Sequence, residues 1–217
     1  MKKMVLLALL IVFLPAMVFA QEKVEAPVWN VGDKWNFTGD GSIAVVKVDP
    51  DGFILKFSDR ICMVETQGCS AILFEKSNRN RIYAVEGDKR KKYVMGLAKL
   101  FDFPFMLGKN WKYAYSAKTI MGGAYHPVSN DYSENYTVVR WEDLQVQAGR
   151  FKALKLEYKR ITTGSSSSWG GTGEEINNLY WYSPEVKYLV KCQYDKDILK
   201  GSKDIFNWEL ISFQLKK

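Results

Sequence analysis

The residues that could do chemistry are few. Histidine occurs once, as His126, followed by Pro127. A zinc centre draws on several His, Cys or clustered carboxylates at ligand spacing, and one histidine with three cysteines does not make one. A Ser-His-Asp arrangement would have to recruit His126, and no GxSxG segment supplies the serine. His126 therefore reads as an exposed loop histidine. Glycoside hydrolysis needs two carboxylates held at a set separation; Glu157 and Glu175 could face each other across neighbouring strands, but nothing in the sequence demands it. Glu142-Asp143 and Asp49-Pro50-Asp51-Gly52 read as turns. The second of these lacks the spaced acids and terminal glutamate of an EF-hand loop. Gly170-Gly171-Thr172-Gly173 runs into Glu174-Glu175 rather than into a lysine and a helix, which excludes a phosphate cradle. The expectation is a protein without catalytic residues, metal or cofactor, and not an enzyme.

The aromatic residues are the functional signal that remains. Tyr180, Trp181 and Tyr182 are consecutive, so a strand would point Trp181 to one face and both tyrosines to the other. Trp169 sits in GSSSSWGGTG, a stretch flexible by composition, where a structural role is harder to find. Rings exposed on a concave β surface bind sugars, lipids or peptides by stacking and apolar burial. Trp169, Tyr180, Trp181 and Tyr182 are thus the expected ligand-binding residues, set against a core role for most of the seven tryptophans.

Two cysteines flank a plausible turn, Glu65-Thr66-Gln67-Gly68. Across a hairpin, Cys62 and Cys69 would come within bridging distance. Closing that loop would stabilise the fold by about 2–3 kcal/mol in the chain-entropy model. Cys192 lies in VKYLVKCQY, where Val186, Tyr188, Val190, Cys192 and Tyr194 share one parity. Alternation puts it on the apolar face as a small buried hydrophobe.

The elements that must position these residues read as strands. β-branched and aromatic runs recur with turn signals between them. GSIAVVKV, the 49–52 turn and FILKF form one hairpin; SAILFEK and IYAVEG form the next. WKYAYSA, YTVVRWEDLQV, FKALKLEYKRI, NNLYWYS, KYLVKCQY and FNWELISFQL follow. In FKALKLEY, Leu154, Leu156 and Tyr158 alternate with Lys155 and Glu157, giving one buried and one wet face. The closing strand carries apolar residues on both parities, which predicts burial on both sides or a bulge. Only residues 94–101 could form a short helix, weakened by Gly96 and stopped before Pro104. Residues 120–133 and 164–173 read as the longest irregular stretches. Lys89-Arg90-Lys91-Lys92 follows Gly87-Asp88 and reads as a solvated loop or strand start rather than a nucleic-acid patch.

One internal echo stands out. Val31-Gly32-Asp33-Lys34-Trp35-Asn36-Phe37 resembles Leu107-Gly108-Lys109-Asn110-Trp111-Lys112-Tyr113. In each, a glycine turn leads into a strand with a tryptophan and a second aromatic on the same face. Two β-meanders, each opened by such a strand, would explain it. The expected fold is all-β: a single antiparallel β-barrel-like or strongly curved sheet, with at most one short helix.

Five segments, GDKWNF, FDFPFMLGKNWKY, VQAGRFKALKLEY, NNLYWYSPEVKYLVK and WELISF, resemble exported bacterial proteins of unknown function, the DUF3108-like or TapB-like families. The shared motifs are turn glycines, a proline before a strand and aromatics on strand faces. The resemblance implies a curved antiparallel sheet and leaves the activity open.

The first twenty residues read as a cleavable export signal. Lys2 and Lys3 precede an apolar run from Val5 to Leu14, and Val18-Phe19-Ala20 offers a cleavage site before Gln21. A lipid anchor would need cysteine at the first mature position, where Gln21 stands. Loss of Lys2 and Lys3 lowers the formal net charge from +7 to +5, a mild positive balance spread along the chain. Residues 21–217 then read as one β domain, periplasmic or extracellular. The Asn36-Phe37-Thr38 and Asn135-Tyr136-Thr137 sequons count only in a eukaryotic host. Together these features predict an exported, non-enzymatic protein binding an apolar, amphipathic or sugar-like ligand on a concave sheet. The alternatives are a structural protein docking onto an envelope complex and, with less support, a hydrolase.

Overall fold

The computed structural model describes residues 22–58, 70–92, 98–119, 128–164, 174–194 and 207–217. Twelve strands follow in chain order: β1 (Lys34–Phe37), β2 (Gly41–Val48), β3 (Gly52–Phe57), β4 (Ala71–Glu75), β5 (Arg81–Glu86), β6 (Lys89–Lys92), β7 (Asn110–Thr119), β8 (Val128–Val146), β9 (Gly149–Gly164), β10 (Glu174–Ser183), β11 (Tyr188–Tyr194) and β12 (Trp208–Gln214). They form one antiparallel sheet in the order β6-β5-β4-β3-β2-β1-β12-β11-β10-β9-β8-β7. The sheet is strongly curved and does not close, because β6 and β7 are its two edges. No helix occurs among the described residues; 98–100 form a turn, and 94–97 lie outside them.

The order is that of two six-strand meanders joined where β1 meets β12. Each opens as the sequence echo predicts. Gly32 and Gly108 both adopt positive φ, 91° and 77°, where any side chain would be strained. Each donates its N–H to a valine carbonyl of the second strand of its meander, Gly32 to Val45 and Gly108 to Val138 (2.9 and 2.8 Å). Those valines begin the parallel sequences Val45-Val46-Lys47 and Val138-Val139-Arg140, and the strand register slips within both. Trp35 then pairs with Ile43 as Trp111 pairs with Tyr136.

The concave side is filled by two segments of the chain itself. Residues 22–29 and 98–105 run inside the curve and meet at an isolated bridge, Val24 to Phe105. Trp29, 1% exposed, touches Phe53 and Phe74 of one meander and Trp35 and Tyr188 at the junction with the other. Its indole N–H donates to the Lys187 carbonyl at 2.8 Å. Arg79 lies over the Trp29 and Phe53 rings and donates to the Pro27 carbonyl, tying the first segment to the β4–β5 turn. Burial lowers the Arg79 pKa to about 10. From the second segment, Phe101, Phe103 and Phe105 all pack on Tyr182, and Phe105 also stacks on Trp111.

Several local expectations need correction. Residues 128–133 are not irregular but the first third of β8, a 19-residue strand. Their alternation was hidden because a carboxylate, Glu134, occupies an inward position. Glu142-Asp143 is not a turn; it lies within β8 opposite Ala153 and Lys152, and the chain reverses later, at residues 147–148. Lys89-Arg90-Lys91-Lys92, read as a solvated loop or strand start, takes the second form: it is strand β6, a short cationic edge of the kind that discourages sheet-to-sheet association. Arg90 reaches back to Asp49 at 2.6 Å and Asp51 at 3.3 Å. The closing strand is bulged as expected, with a register shift where β1 meets it between Asn36 and Phe37.

Candidate functional site

The inner face of β7–β10 changes character along its length. Near the plug it is apolar: Val138, Leu156, Tyr180 and Tyr182 are buried in adjoining rows. One row on, Trp111, Tyr136, Tyr158 and Asn178 lie side by side across four strands. The next row brings Tyr113, Glu134, Arg160 and Ile176 together, and the one after it Tyr115, Tyr132 and Thr162.

Glu134 is the chemical centre of this region. It is 0% exposed. Its Oε2 accepts the Tyr136 hydroxyl at 2.5 Å and its Oε1 the Tyr158 hydroxyl at 2.9 Å. A buried carboxyl is costly unless each oxygen is hydrogen-bonded, and the two phenols meet that need. Burial, reinforced by Glu134, drives the Tyr136 and Tyr158 pKa values well above the ordinary phenol value. Tyr113 is raised for the same two reasons. Arg81 and Arg160 act in the opposite sense, Arg81 on Tyr136 and Arg160 on Tyr158, so both guanidinium groups stand within electrostatic reach of the cluster. Arg81 comes from β5, nearly at the opposite edge of the sheet, which shows how far the sheet curls.

Above Glu134 the floor is half-buried and rich in rings. Tyr113 stacks on Tyr115 with centroids 5.4 Å apart, and Tyr115 stacks on Tyr132 at 4.8 Å with planes 12° apart. The Arg160 guanidinium lies over the Tyr132 ring at 5.6 Å. Asn130 Nδ2 donates to the Tyr132 hydroxyl at 3.4 Å. Thr162 Oγ1 is buried and has no hydrogen-bond partner among the described residues.

Of the sequence-predicted ligand residues, Tyr180, Trp181 and Tyr182 lie outside this half-buried region. Tyr180, Trp181 and Tyr182 point to alternate faces as expected, but all three are buried, at 0%, 5% and 1% exposure. Tyr182 packs on Phe101, Phe103 and Phe105 of the plug, and Tyr180 meets the Tyr158 ring edge-on at 6.2 Å. Trp181, on the outer face, has Lys155 and Lys191 over its ring and donates its N–H to Glu142 Oε2 at 2.6 Å. None presents an open ring to a ligand. Trp169, Cys62, Cys69 and His126 lie outside the described residues. Cys192 is buried at 1% exposure on the predicted face. Glu157 and Glu175 do not oppose each other: Glu157 pairs with Leu179, and Glu175 with Ile161. Glu175 is held by Lys159 at 2.7 Å. On the same outer face a depression of about 350 Å³ is lined by Asn135, Thr137, Glu157 and Lys159 among others.

Sequence reasoning missed Tyr113, Tyr115, Tyr132, Glu134 and Arg160. The available signal was the alternation in Tyr132-Ser133-Glu134-Asn135-Tyr136, read as irregular because a buried carboxylate breaks the apolar pattern.

Fold and site together define an open, strongly curved antiparallel all-β protein with a plugged interior and a tyrosine-lined mouth. No family model matches the chain, and no curated protein matches it. The DUF3108-like and TapB-like resemblance therefore gains no support from a family match. Three solved structures follow a similar backbone course. The hypothetical lipoprotein YmcC from Escherichia coli is 9% identical, with 89% of this chain and 90% of that chain covered, at a TM-score of 0.44. A protein from Parabacteroides distasonis described as a lipoprotein is 12% identical, with 89% and 100% covered and a TM-score of 0.39. A protein from Bacteroides fragilis described as exported and as having a YmcC-like fold is 12% identical, with 88% and 99% covered and a TM-score of 0.38. No helix among the described residues is long and apolar enough to cross a membrane.

Proposed function

We propose that this chain is an exported, non-enzymatic binding protein whose ligand face is the tyrosine-lined end of the concave sheet. The observation behind this reading is the half-buried ladder Tyr113, Tyr115 and Tyr132, set on the inner face beyond the plug. Stable interiors bury such rings, and a surface with convergent polar groups that leaves them half-covered is the usual makeup of a binding face. Glu134 supports the floor from beneath, since its two phenol partners fix the strands that present the ladder. Export rests on the Lys2-to-Ala20 signal, and the periplasmic or extracellular address follows from it.

The test is purification from the native envelope under mild conditions, followed by native mass spectrometry. A bound small molecule is expected on the wild-type protein and absent from Tyr115→Ala/Tyr132→Ala. A protein that carries no bound mass, and whose fluorescence an envelope lipid extract leaves unchanged, would contradict this function.

A further inference from the structure

Resting on that ligand face, we infer that it recognises an oxyanion, the carboxylate or phosphate headgroup of an amphipathic molecule, through Arg160, Tyr132 and Thr162. The first argument is geometric. Tyr115 is stacked between ring partners on its own strand and on β8, and Tyr132 also carries the Arg160 guanidinium. With ring faces taken up by one another, the rings offer a ligand their edges rather than their faces. Face-on stacking of a sugar is therefore disfavoured.

The second argument is the sense of the hydrogen bonds. Tyr132 already accepts from Asn130, which leaves its O–H to donate. The Thr162 hydroxyl, one pair along β9 from Arg160, is buried with no partner among the described residues. Hydroxyl donors gathered beside a guanidinium suit a ligand rich in acceptors.

The third argument is charge. Glu134 lies directly across from Arg160, and each of its oxygens also holds a phenol. Arg81 adds a second guanidinium within reach of the same cluster. The apolar part of the ligand would lie against the ring edges and Ile176, which is half-buried beside Arg160. The chain's positive balance favours approach of an anion.

The experiment titrates the chain, without its signal, with three amphiphiles below their micelle concentrations, dodecyl phosphate, laurate and dodecyl maltoside, and with inorganic phosphate. Dodecyl phosphate and laurate are expected to bind at least about tenfold tighter than dodecyl maltoside. Arg160→Gln should erase that preference. Thr162→Val, which keeps the side-chain shape, should weaken the anionic probes by roughly threefold. Inorganic phosphate binding as tightly as dodecyl phosphate would also support the oxyanion site, with a free anion as its source. If dodecyl maltoside matches laurate on the wild-type chain and Tyr132→Ala weakens both, the ligand face stands and the oxyanion inference falls. If none of the four binds, both fall. The preference is measured on the wild-type chain, so the outcome does not depend on whether Arg160→Gln folds.

Discussion

The two meanders begin alike and end differently, and the site is what the second has in addition. Both start from a positive-φ glycine turn, a tryptophan strand and a Val-Val-Lys/Arg bulge. The β1–β2 hairpin then turns at once, after Phe37 pairs with Gly41. The β7–β8 hairpin passes the equivalent pair, Tyr113 with Glu134, and runs six pairs further, to Thr119 and Val128. Where β2 and β3 bring together Ile43 and Phe57, β8 and β9 bring together Tyr136 and Tyr158. The added hydroxyl groups are those that hold Glu134. One meander is built for a dry core, while its counterpart keeps that core and extends it into a polar, ring-lined mouth.

The largest effect should come from breaking the shared part. Trp35 is 0% exposed at the seam of the two meanders, stacked on Tyr188 at 4.9 Å. Trp35→Ala should cost about 3–5 kcal/mol in urea unfolding. Its counterpart Trp111 is half-buried at the sheet edge, so Trp111→Ala should cost clearly less; equal losses would mean the seam is no more critical than the edge.

Next is the polar pair that has no counterpart in the first meander. Tyr136→Phe with Tyr158→Phe takes two hydrogen-bond donors from a buried carboxyl and should destabilise by about 3 kcal/mol. Adding Glu134→Leu should cost less than Glu134→Leu does alone, because the carboxyl and the two phenols act on one another. Strict additivity of the three changes would show that they do not act as one unit.

The pH dependence sharpens the same contrast. Tyr136, Tyr158 and Tyr182 have folded pKa values raised above the unfolded value of 10.0, chiefly by burial. Their neutral forms are favoured in the fold, so the stability present below pH 10 is lost as pH rises beyond it. Urea midpoints should fall steeply above that pH, and less steeply in Tyr136→Phe/Tyr158→Phe. A smaller effect lies on the acid side. The Trp181 N–H, aided by Arg140, lowers the Glu142 pKa below 4.5. That contribution is present above the unfolded pKa and lost as pH falls through the folded one. Glu142→Gln should cost at most about 1 kcal/mol at pH 7, and the gap to wild type should shrink in thermal melts near pH 3.

The strands and their order of hairpins were legible because each alternates apolar and polar residues between turn residues, as in Leu154 to Tyr158. The doubled opening was legible in two glycines and two tryptophans. Two things were not. Nothing local in Tyr180-Trp181-Tyr182 says that residues 98–105 fold back against the tyrosines, since the plug is a long-range contact. Glu134 was invisible for a different reason: a charged residue at an inward position reads as outward until its phenol partners, one of them 24 residues away, are in place.

Hydrogen exchange resolved along the chain tests the central claim most directly. Stripped protein would be compared with and without an extract of the amphiphiles recovered from its native purification. Protection should appear in 113–117, 130–134 and 160–162, the extension peculiar to the second meander, with no change in 43–57. Protection centred on β2 to β4, or spread evenly over both meanders, would contradict the assignment of the ligand face to that extension.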